Sequence, residues 1–367
     1  MSTSTFVTAQ RLPHCPTSEF AREEVALANR NSGLPLELLR HDITPLGAHY
    51  LLTHFDIPYL PAQGFSLDFK GAFANPFSLD LDAIRALPRV TVPVTLECAG
   101  NGRAEHALRS RSMPWRHEAV GTAEWSGTPL YPLIEKAAPQ ADACEISFIG
   151  ADRGFDKGHA HAFGRSLTLE QLKTLEVLLV TEMNGQPLMP QHGAPLRIVV
   201  PGWYGMASVK WLTTIEALTE PFTGHQQVGT YRFRDTADSS GEPVTGIRVK
   251  SLMVPPGIPD WYSRRRLVGA GLTRLEGRAW SGLGRQIVKV EVSTGDTWHE
   301  ATLLPPVGTY AWRGWQFDWN ATPGAHALRC RATDDAGDFQ PLEPPWDVAG
   351  FGNNMVQTLE VQVAEIA

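Results

Sequence analysis

A chain of 367 residues with 43% hydrophobic and 19% charged residues has the composition of a soluble globular protein large enough for two domains. Its formal net charge of -7 disfavours a nucleic-acid surface, and no apolar run approaches the ~20 residues of a membrane helix. The 28 prolines and 33 glycines imply many turns and more sheet than helix.

The first residues show neither a basic start followed by an apolar core nor twin arginines, so no export signal is expected. Cys15, Cys98, Cys144 and Cys330 lie far apart without CxxC spacing and suit free thiols, which makes the cytoplasm the expected compartment. Residues 1–30 read as a weakly ordered extension in which 18–29 have the spacing of a short amphipathic helix. Within the apolar run 50–58, His54 taken alone fits a hydrogen-bonded structural role better than a ligand role. Residues 65–69 and 77–79 read as short strands, and 79–88 as a helix with aspartates in its first turn, where they favour the dipole.

Residues 90–97 alternate valine and leucine with threonine and proline, the pattern of a strand that delivers Cys98 to its tip. Ala99, Gly100, Asn101 and Gly102 then let the backbone turn tightly, since glycine and asparagine accept positive φ. A thiol on a strand end, in a turn where N–H groups converge, suits a thiolate ligand or a nucleophile. Taken alone, the stretch fits a partly buried free cysteine better still. Arg103, Arg109, Arg111 and Arg116 crowd the following loop, and charge density singles out none of them.

Residues 124–136 read as a turn followed by a short helix, and 144–150 as a buried strand that ends at the polar residues around Asp152. Cys144 reads as a small hydrophobe, and nothing near His159 and His161 supplies the further ligands of a zinc site. Thr168 suits a helix cap, and Asn184-Gly185 is a strong hairpin signal. Residues 190–212 then gather His192, Arg197, Ser208 and Lys210 among glycines around one buried strand. Such donors are what a buried phosphate requires, although neither Walker nor Rossmann spacing occurs. Residues 235–243 read as a polar linker. Beyond it, 275–280, 287–293, 310–319, 325–333 and 356–363 alternate with period two between turns, which indicates an immunoglobulin-like sandwich with Cys330 in its core.

Taken together, these motifs resemble the sulfite oxidase family of molybdopterin oxidoreductases, of the haem-free bacterial type, over nearly the whole chain from residue 29. Residues 96–103, Leu-Glu-Cys-Ala-Gly-Asn-Gly-Arg, resemble the family's cysteine loop, whose thiolate binds molybdenum. Residues 181–185, 191–202 and 208–212 resemble its pterin-binding core, and 343–354 the end of its dimerisation domain. The resemblance implies an α+β fold with an N-terminal extension (1–30), a molybdopterin-binding catalytic domain (31–240) and an immunoglobulin-like domain (241–367) that forms a homodimer. It implies one Mo-molybdopterin per chain with Cys98 as the metal ligand. The implied cofactor-holding residues are His54, Asp152, His192, Arg197, Ser208 and Lys210, with Thr53 and Val209 contributing backbone. A buried phosphate and a polar pterin need charge-assisted donors and a carboxylate, and this set contains both.

Arg103 and Tyr231 are the positions the resemblance places with Cys98 at the reacting centre. On sequence alone Tyr231 fits a domain edge equally well. The implied reaction is oxygen-atom transfer at molybdenum, nominally sulfite to sulfate, with electrons passed to an external partner because no CxxCH for haem occurs. Two positions depart from the pattern: Leu52 and Ala349 stand where the family's other substrate arginines are expected. A dianion held by one guanidinium rather than three forgoes charge-assisted bonds of roughly 1.5–3 kcal/mol each. That opens a further expectation, S- or N-oxide or nitrate reduction at the same centre; a scaffold that lost its cofactor is carried beside it as a reading of a different class. The retained Cys98 argues against the scaffold.

Overall fold

The computed structural model describes residues 15, 16 and 20–365. The weak order expected of the N-terminal extension falls largely outside the described residues. Within them, α1 (Arg22–Ala28) is a helix whose Glu24 reaches back to the Ala21 N–H (2.9 Å) and is buried in an ion pair with Arg109. No helix among the described residues is long and apolar enough to cross a membrane.

Next in the chain come β1 (Ser66–Gly71), β2 (Phe77–Asp80), α2 (Leu81–Arg85), β3 (Val90–Glu97), β4 (Val120–Pro129), α3 (Tyr131–Ala137) and β5 (Glu145–Asp156). They are followed by β6 (His159–Thr168), α4 (Leu169–Thr174), β7 (Leu178–Met183), β8 (Gln186–Pro187), β9 (Arg197–Val199) and β10 (Leu212–Leu218). One sheet runs β8-β7-β4-β3, with β9 also paired to β7; the other runs β2-β1-β10-β5-β6. Asp80 caps α2 by accepting from Ala83 N at 2.7 Å, and Thr168 and Gln171 form a reciprocal capping box on α4. β3 begins exposed and ends buried on both faces, so its alternation matters only where it enters the core.

Two local expectations are corrected. Residues 124–129 are not a turn but the second half of β4, where Gly127 lets the β7 backbone approach. A Cβ there would lie 1.9 Å from the Leu179 carbonyl oxygen. Nor does the strand from 144 end at Asp152. β5 runs on to Asp156 through a register break between Ile149 and Arg153, and such bulges re-aim side chains. Cys144 is only half-buried.

The C-terminal sandwich consists of β11 (Lys250–Met253), β12 (Ile258–Pro259), β13 (Arg266–Gly269), β14 (Gly271–Trp280) and β15 (Ile287–Ser293). After them come β16 (Trp298–Glu300), β17 (Thr302–Leu303), β18 (Arg313–Ala321), β19 (Gly324–Asp334) and β20 (Gln357–Ala364). Sheets β11-β14-β18-β17 and β12-β13-β20-β19-β15-β16 enclose a core that includes Leu275, Val290, Trp315, Leu328, Cys330 and Val361. The strand expected from 310 starts only at Arg313, because Tyr310 bridges to Val94 of β3 in the other domain, its carbonyl accepting from Thr95 N at 2.9 Å. The whole is an α+β domain followed by a β-sandwich.

Candidate active site

At the end of β3 the chain turns, with Asn101 N donating to Cys98 O (2.9 Å) and Arg103 N to Gly100 O (3.0 Å). Gly102 takes φ +96°. Gly100 must lack a side chain because the Arg103 guanidinium folds over it; a Cβ would lie 2.6 Å from both terminal nitrogens. Backbone carbonyls hold that guanidinium, Nε donating to Ala349 O at 2.6 Å and Nη1 to Met113 O at 2.9 Å. The Cys98 Sγ accepts the Gly100 N–H at 3.4 Å. Burial raises the thiol's pKa, opposed by Arg103 and that N–H, and a bound metal would displace the proton outright.

The residue before the thiol ties the turn to the second domain. Glu97 Oε1 accepts from Lys250 Nζ (3.0 Å) and Asn101 Nδ2 (2.9 Å), and its Oε2 accepts from Trp280 Nε1 (2.9 Å). Lys250 also donates to Asn353 O (2.9 Å), and Asn353 Nδ2 to Gly102 O (2.8 Å). Both ends of the cysteine turn therefore rest on the C-terminal domain.

Behind Cys98 lies a cleft lined by His49, His54, Asp152, His192, Arg197, Ser208, Lys210, Trp211 and Tyr231. The short segment 190–212 is shaped by its own hydrogen bonds. Arg197, at the start of β9, donates from Nη1 to His192 O and from Nη2 to Ser208 O, both at 3.1 Å. Ser208 Oγ accepts from Val200 N at 3.0 Å, and Lys210 Nζ donates to the carbonyls of Leu52 and Gln191 at 3.0 Å each. Trp211 adopts the left-handed φ of +51°, held there by Nε1 donating to Pro190 O at 2.8 Å. The bend separates Lys210, which faces the cleft, from β10.

Burial dominates the cleft's electrostatics. It pulls His49 and His54 down to about 4 and His192 to about 3, so all three are neutral at pH 7. Burial, helped by the Arg197 charge, lowers Lys210 to about 7, while Arg197 itself falls to about 10. Asp152 is pushed up to about 6 by burial, with Lys210 opposing. Asp152 Oδ1 and His49 Nε2 are buried and have no hydrogen-bond partner among the described residues. Such orphaned atoms are rare in a packed interior and mark places where a bound molecule completes the bonding. Two cations for a phosphate, together with an open carboxylate and imidazole for a ring's polar edge, fit a phosphorylated pterin.

A wider cavity of about 980 Å³ shares Leu52, His54, Cys98 and Tyr231 with the cleft. Its walls include Arg103, Arg111, Met113, Ala349 and Phe351. Tyr231, stacked on Phe351 at 5.1 Å, lies 2.6 Å from His54 Nε2 through its hydroxyl. Of the loop arginines that sequence leaves undistinguished, Arg109 is bound to Glu24 and Arg116 lies 3.9 Å from Glu105. Arg111 instead lines the cavity, its buried Nε unpartnered.

The sequence-derived residues thus separate. Cys98, His54, Asp152, His192, Arg197, Ser208, Lys210 and Tyr231 line the cleft, and Arg103 and Thr53 line the cavity. Thr53 N is satisfied by Asn31 Oδ1 at 2.7 Å. Val209 is in the core with its N–H and carbonyl bonded to Ala207 O and Ile198 N, so it does not join the others. His49 and Trp211 carry no local pattern that would mark them as site residues, whereas Arg111 is one of three loop arginines, with Arg109 and Arg116, that sequence leaves open as a replacement for a missing substrate arginine. His159 and His161 pack on His225 at 4.9 Å, and the described residues hold no metal-binding group of three or more ligands.

A buried turn thiol where a cationic cleft meets an open cavity fits a protein that holds a phosphorylated cofactor beside its substrate. Comparison with known proteins agrees. Residues 54–226 match the oxidoreductase molybdopterin binding domain, and residues 247–364 the Mo-co oxidoreductase dimerisation domain. Mitochondrial sulfite oxidase of Macaca fascicularis is 34% identical, the match covering 91% of this chain and 64% of that protein. Sulfite oxidase of Gallus gallus is 30% identical over 87% of this chain and 73% of its own length. A nitrate reductase [NADH] of Ulva prolifera is 28% identical over 87% of this chain and 40% of that protein. The chain spans about 64% of the length of the mitochondrial relatives. The crystal structure of the sulfane dehydrogenase SoxCD from Paracoccus pantotrophus shares the fold, with a TM-score of 0.80 at 23% identity over 100% of this chain and 95% of that one. The chain belongs to the sulfite oxidase family of molybdopterin oxidoreductases.

Proposed function

We propose that the protein oxidises a small sulfur anion, nominally sulfite: sulfite and water give sulfate, two protons and two electrons, and the electrons pass to a separate acceptor. The observation that carries this reading is the unpaired positive charge in the cavity that opens on Cys98. Arg103 and Arg111 line the cavity, and neither makes an ion pair with a carboxylate among the described residues. Molybdopterin, with Cys98 on its metal and His192, Arg197, Ser208, Lys210 and Asp152 around it, supplies the two-electron chemistry when bound.

The chain's own groups do the rest. Arg103 and Arg111 draw in the anion and orient it by charge-assisted bonds. Burial raises the Tyr231 pKa and keeps His54 neutral, so the phenol retains its proton at pH 7. In the tautomer protonated on Nε2, His54 donates to the phenol oxygen and leaves the phenol O–H for a substrate oxygen. Phe351, stacked on the Tyr231 ring at 5.1 Å, covers one face of it.

Leu52 and Ala349 favour a second reading, because an apolar wall suits a neutral S- or N-oxide reduced at the same centre; nitrate reduction belongs with it. The assay is steady-state turnover of molybdenum-loaded protein, with sulfite and ferricyanide on one side and oxides or nitrate with reduced viologen on the other. Sulfite turnover in the ordinary enzymatic range of roughly 1–10³ s⁻¹ supports the first reading. Reduction of an oxide with no sulfite turnover overturns it.

The same proposal includes one Mo-molybdopterin and no haem per chain, a homodimer through the C-terminal domain, and action in the cytoplasm. Elemental analysis, sedimentation and cell fractionation check these in turn. Absence of molybdenum from protein made in a cofactor-competent host would return the scaffold reading.

A further inference from the structure

The cavity that opens on Cys98 is far larger than the anion assigned to it. About 980 Å³ lies near the top of the ~300–1,000 Å³ range of pockets that enclose drug-sized molecules, whereas sulfite is a single sulfur with its oxygens. Its walls are of two kinds. Leu52, Met113, Ala349 and Phe351 offer apolar surface next to the thiol, while Lys157 and Arg234 bring positive charge from elsewhere in the chain. Lys157 sits in the hairpin between β5 and β6, and Arg234 lies just beyond Tyr231.

Two acids, Glu23 and Asp156, share the cavity wall, but neither pairs with these cations. Lys157 Nζ donates only to Gly229 O, at 3.4 Å, and Arg234 Nη2 to Val228 O, at 3.2 Å. The Arg234 Nε is buried with no partner, and neither residue makes an ion pair among the described residues. Asp156, next to Lys157, is already taken: its Oδ2 lies 3.2 Å from His225 Nε2, 3.3 Å from Thr230 Oγ1 and 3.5 Å from Gln226 Nε2. The repulsion is felt, since the Lys157 pKa is lowered by burial first and by Arg234 as well, against the pull of Asp156. In a protein of net charge -7, unpaired cations gathered in one cavity point to a ligand that supplies the missing negative charge.

We infer that this cavity takes an organic substrate with two ends: a sulfur-centred group that meets Arg103 and Arg111 beside Cys98, and a distal sulfonate, phosphate or carboxylate held by Lys157 and Arg234. The apolar wall at Leu52 and Ala349 then receives the body between them, and the distal charge replaces grip that arginines at those positions would have given. The inference rests on the oxidoreductase reading for its chemistry and adds no step to it; its binding claim stands on the cavity alone.

The test is titration calorimetry of molybdenum-loaded protein with linear alkane disulfonates from ethane to hexane, each against the alkane monosulfonate of equal length. The best disulfonate binds about tenfold tighter than its monosulfonate, the effect of one added charge-assisted contact. In the Lys157→Ala/Arg234→Ala double variant that preference disappears while monosulfonate affinity stays within about twofold. Lys157→Gln, which keeps a chain of similar reach, is the second variant should the double one fail to fold, and it halves the preference or more. If no disulfonate outbinds its partner, or if the variants weaken both ligands equally, the two-ended substrate is wrong. Sulfite turnover without a disulfonate preference refutes this inference and leaves sulfite oxidation standing. The preference in a protein that turns over no sulfite does the reverse.

Discussion

Replacing Lys250 with methionine tests whether the sandwich holds the cysteine turn in place. The Lys250 and Glu97 side chains are 1% and 2% exposed and lie 3.0 Å apart, so the pair is wholly desolvated. Methionine has nearly the length of lysine and leaves little void, so the cost is electrostatic rather than steric. Removing one partner of a buried pair costs about 3–5 kcal/mol, because the remaining charge is stranded. Trp280 and Asn101 still donate to Glu97, which puts the expected loss near the low end, about 3 kcal/mol. For 367 residues melting as one unit, that lowers the midpoint by roughly 4 °C. Since Glu97 and Asn101 flank Cys98, molybdenum content falls as well. The assay is calorimetric melting and metal analysis of Lys250→Met, Glu97→Gln and the double variant. The double variant loses less than the sum of the singles by about 2 kcal/mol, as it leaves no stranded charge. Strictly additive losses, or a Lys250→Met midpoint within a degree of the parent, would refute the reasoning.

Cys98→Ser removes the metal's protein ligand. Molybdenum content and the visible spectrum should collapse while the cofactor-free fold melts within a degree or two of the parent, and an unaltered spectrum would sink the assignment. Arg111→Met should raise the sulfite KM about tenfold or more with kcat within a few-fold, the signature of one lost ground-state contact of roughly 1.5–3 kcal/mol; an unmoved KM means that Arg111 does not meet the anion. Acid should destabilise the cofactor-free protein early. His49, His54, His117 and His192 have folded values of about 4, 4, 3 and 3 against 6.5 unfolded, each lowered by burial. The unfolded chain therefore takes up protons first, so this stability is complete above pH 6.5 and drains away as pH falls towards 4. The slope is up to about 1.4 kcal/mol per histidine per pH unit. Guanidinium midpoints at pH 7 and pH 5 measure it, and equal midpoints contradict it.

What sequence reveals here depends on how far apart the interacting residues stand. The Cys98 turn is legible because its strand, its small residues and its thiol are contiguous, and His192, Arg197, Ser208 and Lys210 are legible because one short segment carries them all. The glycine and proline between 124 and 129 mislead for the opposite reason. They punctuate most chains, yet Gly127 serves a strand fifty residues away in sequence by clearing space for Leu179. His49 has no local mark; its place in the cleft depends on Gly121, where a Cβ would come within 2.6 Å of the imidazole.

The sharpest case is the run of arginines after Cys98, which sequence cannot rank. Their fates are decided by different acids: Glu24 of α1, distant in sequence, takes Arg109, while Arg116 lies 3.9 Å from Glu105 of its own loop. Arg111, of the same chemistry, is left facing the cavity. Glu97 and Lys250 show the converse, two charges 153 residues apart that cancel each other in the interior and so leave the site's field to others. Composition says how many charges a chain has, but binding depends on which of them the fold leaves unpaired. That remainder, Arg103 by the thiol, Arg111, Lys157 and Arg234 on the cavity wall, and the open oxygen of Asp152 in the cleft, is a long-range property. It follows that Glu24 matters to the site by what it withholds, since it holds the buried Arg109 guanidinium in an ion pair away from the cavity wall. Glu24→Gln tests this: removing the charge that pairs a buried guanidinium costs about 3–5 kcal/mol, so the melting midpoint should fall by several degrees while the sulfite KM of the folded, molybdenum-loaded protein stays within about twofold, and an unchanged midpoint would mean that the pair does not hold Arg109 in place.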